Sequence, residues 1–217
     1  MNASELHDWL ASRRSVRAFR PDPVPRDVLE RLLESAITAP SSSNRQPWRF
    51  ALVTSPVLRA KIVDAIRERV AAIETVVKRG HHGDDYGRYG DFFHEPLAAA
   101  PVIVIPQYRE HPDLIANLVR SGGGDPADFD TAAQMQGELA STSAAVMLFL
   151  LQAYAEGLGA CWMAGPTVAR RDISGLLGIA PPWKMLGAVA LGYPDETPAP
   201  KGRKPVNAVA AWFTEDP

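Results

Sequence analysis

The stretch Leu139–Pro166, LASTSAAVMLFLLQAYAEGLGACWMAGP, decides how the rest of this chain can be arranged. No charged residue occurs between Glu138 and Glu156. Ala, Leu, Met, Gln and Phe at this density favour a helix, and apolar side chains fall on every face of it. A helix of that kind must be buried. A membrane span needs about 20 predominantly apolar residues. This run is shorter and holds Ser141, Thr142, Ser143 and Gln152, so the sequence favours a protein core. Gly157 suits the C-terminus of the helix. GLGACWMAGP then reads as a Gly-rich turn, where glycines allow close backbone approach and Pro166 prevents further helix. A buried helix ending in such a turn, beside an aromatic, is a place for a ligand.

The rest of the composition is that of an ordinary soluble domain. With 217 residues, 46% hydrophobic and 22% charged, the chain can bury a sizeable core, and it reads as one domain over residues 1–217. A formal net charge of -2 and a pI near 6.2 argue against a nucleic-acid binder. Cys161 is the only cysteine, so no internal disulfide forms and a reducing compartment fits. The N-terminus, MNASELHDWLASRRSVR, lacks the apolar core of a signal peptide. The expected location is the cytoplasm, with no membrane partner.

Upstream of the central helix, residues 4–12 predict a short helix with Ser4 as its N-cap and Leu6, Trp9 and Leu10 on one face. RRSVRAF, Arg13–Phe19, follows. Its three arginines and one serine are either a solvated basic turn or a compact set of anion donors, since arginine forks pair bidentately with phosphate. Asp27 is placed to cap a helix carrying Val28, Leu29, Leu32, Leu33, Ala36 and Ile37. SSSNRQPWRF offers serines, Asn44 and Gln46, which suit a polar loop or the edge of a planar heterocycle. Arg49–Ser55 predicts a strand, and 56–78 a helix with Pro56 near its start. Residues 78–95 and 107–131 are Gly-bearing excursions expected to be loops, with the strand Ala100–Pro106 between them. Beyond Pro166 the pattern predicts a helix over 167–178, a strand over Leu186–Tyr193, and a Pro-rich tail with an apolar end. Strands spaced among helices indicate a layered α/β arrangement.

Several chemistries lack their motifs. No G-x-G-x-x-G follows a strand, so no Rossmann domain holds a resident nicotinamide. Neither a P-loop nor a G-x-S-x-G elbow occurs. His81, His82 and His94 have no carboxylate or cysteine at metal-ligand spacing, so no metal is expected. Cys161 reads as a buried structural thiol and not as a nucleophile.

Four pieces in order, RRSVRAF, APSSSNRQPWRF, GLGACWMAGP and LGYPDETPAPKGRKPV, resemble the FMN-dependent nitroreductase family. The resemblance runs essentially end to end. It implies an α+β fold in three α/β/α layers around a mixed central sheet. It also implies a homodimer that exchanges extended C-terminal arms and holds FMN at its interface. Position by position, Arg13, Arg14, Ser15 and Arg17 match residues that hold the ribityl chain, the phosphate and part of the flavin ring. Arg203, and less directly Lys201, match the late basic position at the phosphate. Pro40, Ser41, Ser42, Ser43, Asn44 and Gln46 match the segment that the other subunit lays against the flavin. Trp162, Met163, Ala164 and Gly165 match the turn facing the ring.

The implied activity is hydride transfer from NAD(P)H, through the flavin, to a flat small-molecule acceptor such as a nitro compound, quinone or enone. One shared site gives ping-pong kinetics, and no protein side chain is named as a catalytic acid or base. Tyr86, Tyr89, Phe92 and Phe93 are the aromatics expected near the acceptor or packed beneath their loop. Where nitro-preferring members often carry Pro-x-Glu-Gly, this chain has Met163-Ala164-Gly165, which removes an acid from the flavin's surroundings. Parts of the sequence are also similar to deazaflavin-coenzyme ligase domains and to dimethylbenzimidazole synthase. A flavin-based biosynthetic enzyme, or a non-catalytic ligand-binding module on the same fold, is therefore the alternative.

Overall fold

The computed structural model describes residues 2–80, 89–130 and 135–214. His81, His82, Tyr86 and Thr131 lie outside these residues, as do residues 81–88 of the expected 78–95 loop.

The uncharged run forms helix α6, Gly137–Ala155, which buries Thr142, Ala145, Val146, Phe149 and Ala153. It stops in a Schellman arrangement: Leu158 N–H donates to Ala153 O at 2.8 Å, and Gly157 N–H to Tyr154 O at 3.1 Å. Gly157 takes φ 74°, a conformation that disfavours other residues. By length and composition α6 could cross a membrane. Here its Val146, Phe149, Leu150 and Ala153 instead pack with Leu29, Leu32 and Ala36 of α2 (Arg26–Ala36) in one core cluster.

The sheet comprises β1 (Trp48–Val53), β2 (Val102–Arg109), β3 (Gly159–Met163), β4 (Trp183–Met185) and β5 (Ala188–Gly192). The strand order is β1-β2-β5-β3, with β4 also paired to β2. Every ladder among the described residues is antiparallel; the parallel pairing is a single bridge, Ser15 to Ala160. Because side chains alternate across a strand, each strand feeds two cores. Val102, Val104, Val189, Leu191 and Ala160 face α2 and α6. Ile103, Ile105, Ala188, Ala190 and Cys161 face the other layer. That layer is α3 (Pro56–Val77), α4 (Glu95–Ala99) and α7 (Arg170–Leu177), contributing Ile62, Ile66, Leu97 and Ile173. The result is the expected α+β fold in three layers, helix, sheet, helix.

Several boundaries differ from the sequence expectation, each for a local reason. Helix α1 (Ala3–Ser12) is capped by Asn2 and not Ser4: Asn2 Oδ1 accepts from Glu5 N–H at 3.0 Å, and Glu5 Oε2 accepts from Asn2 N–H at 2.9 Å. This reciprocal capping box satisfies two helix-end donors at once. Asp27 caps nothing; it sits in the first turn of α2 and pairs with Arg31, while Pro25 takes the cap position. The 107–131 excursion is not all loop. β2 continues to Arg109, α5 spans Leu114–Ser121 under an Asp113 cap, and Pro126–Asp128 form a 3-10 turn. The 167–178 helix is a 3-10 turn, Gly165–Ala169, followed by α7. Half of GLGACWMAGP, expected as a turn, is strand β3, and Gly165–Pro166 open a 3-10 turn.

Candidate functional site

Residues 13–20 take their position from two long-range pairings. Val16 N–H donates to Ala160 O of β3 at 3.1 Å, and Arg20 N–H to Tyr193 O, just past β5, at 2.9 Å. The Glu196 carboxylate accepts from the backbone N–H groups of Arg17 and, at 3.0 Å, Ala18. Gly159 makes the approach possible: a Cβ there would lie 2.7 Å from Val16 Cβ. Upstream, Ser12 Oγ meets the Tyr154 hydroxyl at 2.7 Å, and Trp9 packs on the Tyr154 ring at 5.3 Å, tying α1 to α6.

This layout gathers the predicted basic residues. Arg13, Arg14, Ser15 and Arg17 line a cavity of about 80 Å³ with Lys201 and Arg203 of the C-terminal tail. Arg14 is committed to the last turn of α1, donating to Ala11 O at 2.6 Å and Arg13 O at 2.9 Å. The Arg17 and Arg203 guanidinium groups reach, among the described residues, only backbone carbonyls, at 3.4–3.5 Å. Among the described residues, no carboxylate forms an ion pair with any of these five side chains. Five cations left without acidic partners around one small space form an anion site in electrostatic terms. Their field extends into the sheet: burial pushes the Cys161 thiol up, while Arg17 and Arg13 pull it the other way. A larger cavity of about 400 Å³ shares Arg13 and Arg14 and continues over Val16, Leu150, Tyr154 and Leu158.

The second predicted group, Pro40–Gln46, is not brought to this cavity within one chain. It sits at the N-terminus of α6, where Arg45 pairs with the largely buried Glu138 at 2.9 Å. Ser42 and Ser43 line a separate cavity of about 230 Å³ with His111, Asp113 and Glu138. Ser43, Asn44 and Gln46 all have left-handed backbone, with φ 52°, 50° and 47°. Such a conformation costs roughly 1–2 kcal/mol per residue, least for Asn. It is held by Gln46 N–H donating to Ser41 Oγ at 3.0 Å and by the Gln46 amide donating to Asn44 Oδ1 at 3.3 Å. Accumulated strain in an exposed loop is a feature of functional segments.

The third group, Trp162, Met163, Ala164 and Gly165, closes β3 and opens the following 3-10 turn. The bare face of Gly165 is occupied from within the chain: a Cβ there would lie 2.2 Å from the Phe93 ring. The close approaches that the glycines permit are thus to the chain's own Val16 and Phe93. Tyr89 stacks edge-on against Phe93 at 5.1 Å, and Tyr89 and Phe92 are exposed. Glu196 and Tyr154 escaped the sequence analysis. Both lie inside stretches quoted above, but neither stretch signals these side chains' roles, because both act on residues more than a hundred positions away.

The sequence pattern of the Nitroreductase family matches residues 10–193. This chain belongs to the nitroreductase family. It is 30% identical over 204 residues to the NADH dehydrogenase of Thermus thermophilus, covering 92% of both chains. It is 27% identical over 197 residues to the 5,6-dimethylbenzimidazole synthase of Rhodospirillum rubrum, covering 90% of this chain and 84% of the other. In three dimensions it resembles the BluB-like flavoprotein of Clostridium difficile 630, with a TM-score of 0.85 at 24% identity over 96% of this chain and 99% of that one. Nitroreductase-family proteins are oxidoreductases; of the cation cavity's lining, Arg13, Arg14, Ser15 and Arg17 fall within the matched region, and Pro198, Ala199, Lys201 and Arg203 lie just beyond it.

Proposed function

We propose that residues 1–217 form a single FMN-binding domain of a cytoplasmic homodimer, an oxidoreductase that takes a hydride from NAD(P)H and passes it to a flat organic acceptor. The observation that carries this reading is the cavity of about 80 Å³ lined by five cations that have no acidic partner among the described residues. A space of that size suits one phosphate, which points to a mononucleotide flavin. Arg13, Arg17, Lys201 and Arg203 would hold the phosphate, and Ser15 and Arg14 the adjoining ribityl oxygens. Each charge-assisted bond to phosphate contributes about 1.5–3 kcal/mol.

From the cavity, β3 runs toward Met163, Ala164 and Gly165, which would stand beside the reactive edge of the ring. Backbone N–H groups there, with Arg17, would stabilise negative charge on the reduced cofactor. Pro40–Gln46 belongs to another cavity of the same chain, and a second subunit is what would bring its amides to the ring edge. The apolar residues left exposed on α1 and the tail, Leu6, Leu10, Val209, Trp212 and Phe213, supply surface for that subunit. FMN, when bound, supplies the two-electron chemistry, and the donor and acceptor use one face in turn.

Titration of FMN into flavin-free protein tests this reading. Wild type should bind, and Arg13→Ala and Arg203→Ala should each weaken binding at least tenfold. Protein that takes up no FMN would overturn the proposal. A flavin-dependent biosynthetic reaction is the second reading. It is favoured by the similarity to dimethylbenzimidazole synthase over 90% of the chain and by the missing acid at Met163-Ala164-Gly165.

A further inference from the structure

Across the sheet from the cation cavity lies a second basic surface, built by β1, β2 and β4. Arg49 pairs with Gln107 in the β1–β2 ladder, and Arg109 pairs with Trp183 in the β2–β4 ladder. Alternation along β2 puts these side chains on the face that also carries Ile103 and Ile105. The guanidinium carbons of Arg49 and Arg109 stand 5.4 and 5.9 Å from the Trp183 ring centroid. One indole therefore orders two arginine forks. Both arginines are exposed, and among the described residues neither is in an ion pair. The nearby carboxylate of Glu110 is already taken by Lys184 at 2.6 Å. On the same face, Gln107 is fully buried, and neither polar atom of its amide has a hydrogen-bond partner among the described residues. A polar group left open in this way calls for a partner.

The distance to the proposed flavin edge follows from the register. Met163 pairs with Ala188, and Leu186 N–H donates to Pro106 O, so the end of β3, Gly187 and Pro106 stand in one row. Arg109 lies three residues further along β2, about 10 Å along the strand and two strands, about 10 Å, across. A dinucleotide with its nicotinamide at Met163–Gly165 spans that separation. We propose that Arg49, Arg109 and Trp183 bind a phosphomonoester, the 2′-phosphate of NADPH, and so make NADPH the preferred donor. The inference rests on the NAD(P)H reading above and adds the residues that choose between the two nucleotides.

The test is titration of adenosine 2′,5′-bisphosphate and adenosine 5′-monophosphate into the FMN-loaded protein, wild type and the double variant Arg49→Ala/Arg109→Ala. Flavin content and circular dichroism serve to confirm folding. The bisphosphate should bind wild type at least tenfold more tightly than the monophosphate, and the gap should close in the double variant. The ratio of kcat/KM for NADPH to that for NADH should fall at least tenfold in parallel. Arg49→Lys/Arg109→Lys, which keeps the charge without the forks, should give an intermediate ratio. Equal binding of both nucleotides to wild type, or a gap that survives the double substitution, would overturn the proposal. Inorganic phosphate that competes with the acceptor and not with NADPH would also overturn it, assigning the surface to a phosphorylated acceptor. If neither nicotinamide reduced the flavin, the donor reading itself would fail, while the bisphosphate titration would still report on the surface alone.

Discussion

A single methyl group on Gly159 would collide with Val16 at 2.7 Å, and through Val16 it would displace the segment that carries Arg13, Arg14, Ser15 and Arg17. Gly159→Ala should therefore weaken FMN binding at least tenfold without removing any charge. Adding Val16→Ala should restore part of the loss, because each change affects the same contact. Fluorescence titration with FMN checks both. Gly165 behaves similarly toward Phe93, whose ring would meet a Cβ at 2.2 Å. Gly165→Ala should destabilise the fold by about 1–3 kcal/mol in urea, as overpacking does, and Phe93→Leu should relieve part of it. Cys161 is 2% exposed and its thiol is pushed up by burial. Native protein at pH 8 should resist a thiol reagent that labels it fully in urea.

At the scale of elements, α2 and α6 are tied by Arg31, which pairs with Asp27 at 2.9 Å and with Glu156 at 2.9 Å. Arg31 holds both carboxyl groups below their ordinary range. A carboxyl with a lowered folded pKa stabilises above its unfolded value, and the contribution is lost as the pH falls through the folded value. The urea midpoints of wild type and Arg31→Ala should thus differ at pH 7 and converge below about pH 4. The difference should be small, because the pairs are solvent-exposed. Much of this level was legible in the residues. The uncharged run between Glu138 and Glu156 announced α6, and the periodicity of Leu29, Leu32 and Ala36 announced the buried stripe of α2. GLGACWMAGP misled because small residues mark turns and also mark a strand pressed between two close neighbours; only Val16, far away in sequence, distinguishes the two. The helix Leu114–Ser121 was hidden between His111, Pro112 and the glycines at 122–124. The basic members of the site could be named from sequence, but Glu196, which positions their backbone, carries no local signal.

At the scale of the molecule, apolar surface remains open on α1, on α5 and along the tail: Leu6, Leu10, Leu114, Leu118, Trp212 and Phe213 are all exposed. A second subunit that covers these faces would bury well over about 2,000 Å², as obligate interfaces do. Light scattering on a chain truncated after Pro200 should show monomer that has lost its flavin, since Lys201 and Arg203 leave with the arm. A truncated protein that stays dimeric and yellow would show that the arm is not what holds the subunits together. The central claim, that this fold holds FMN for reduction by a nicotinamide, meets its most direct test in anaerobic stopped-flow mixing followed at the flavin absorbance. The account predicts bleaching by NADPH, more slowly by NADH, and recovery of colour when a nitroarene, quinone or enone is added. Flavin that stays oxidised with both nucleotides would contradict it.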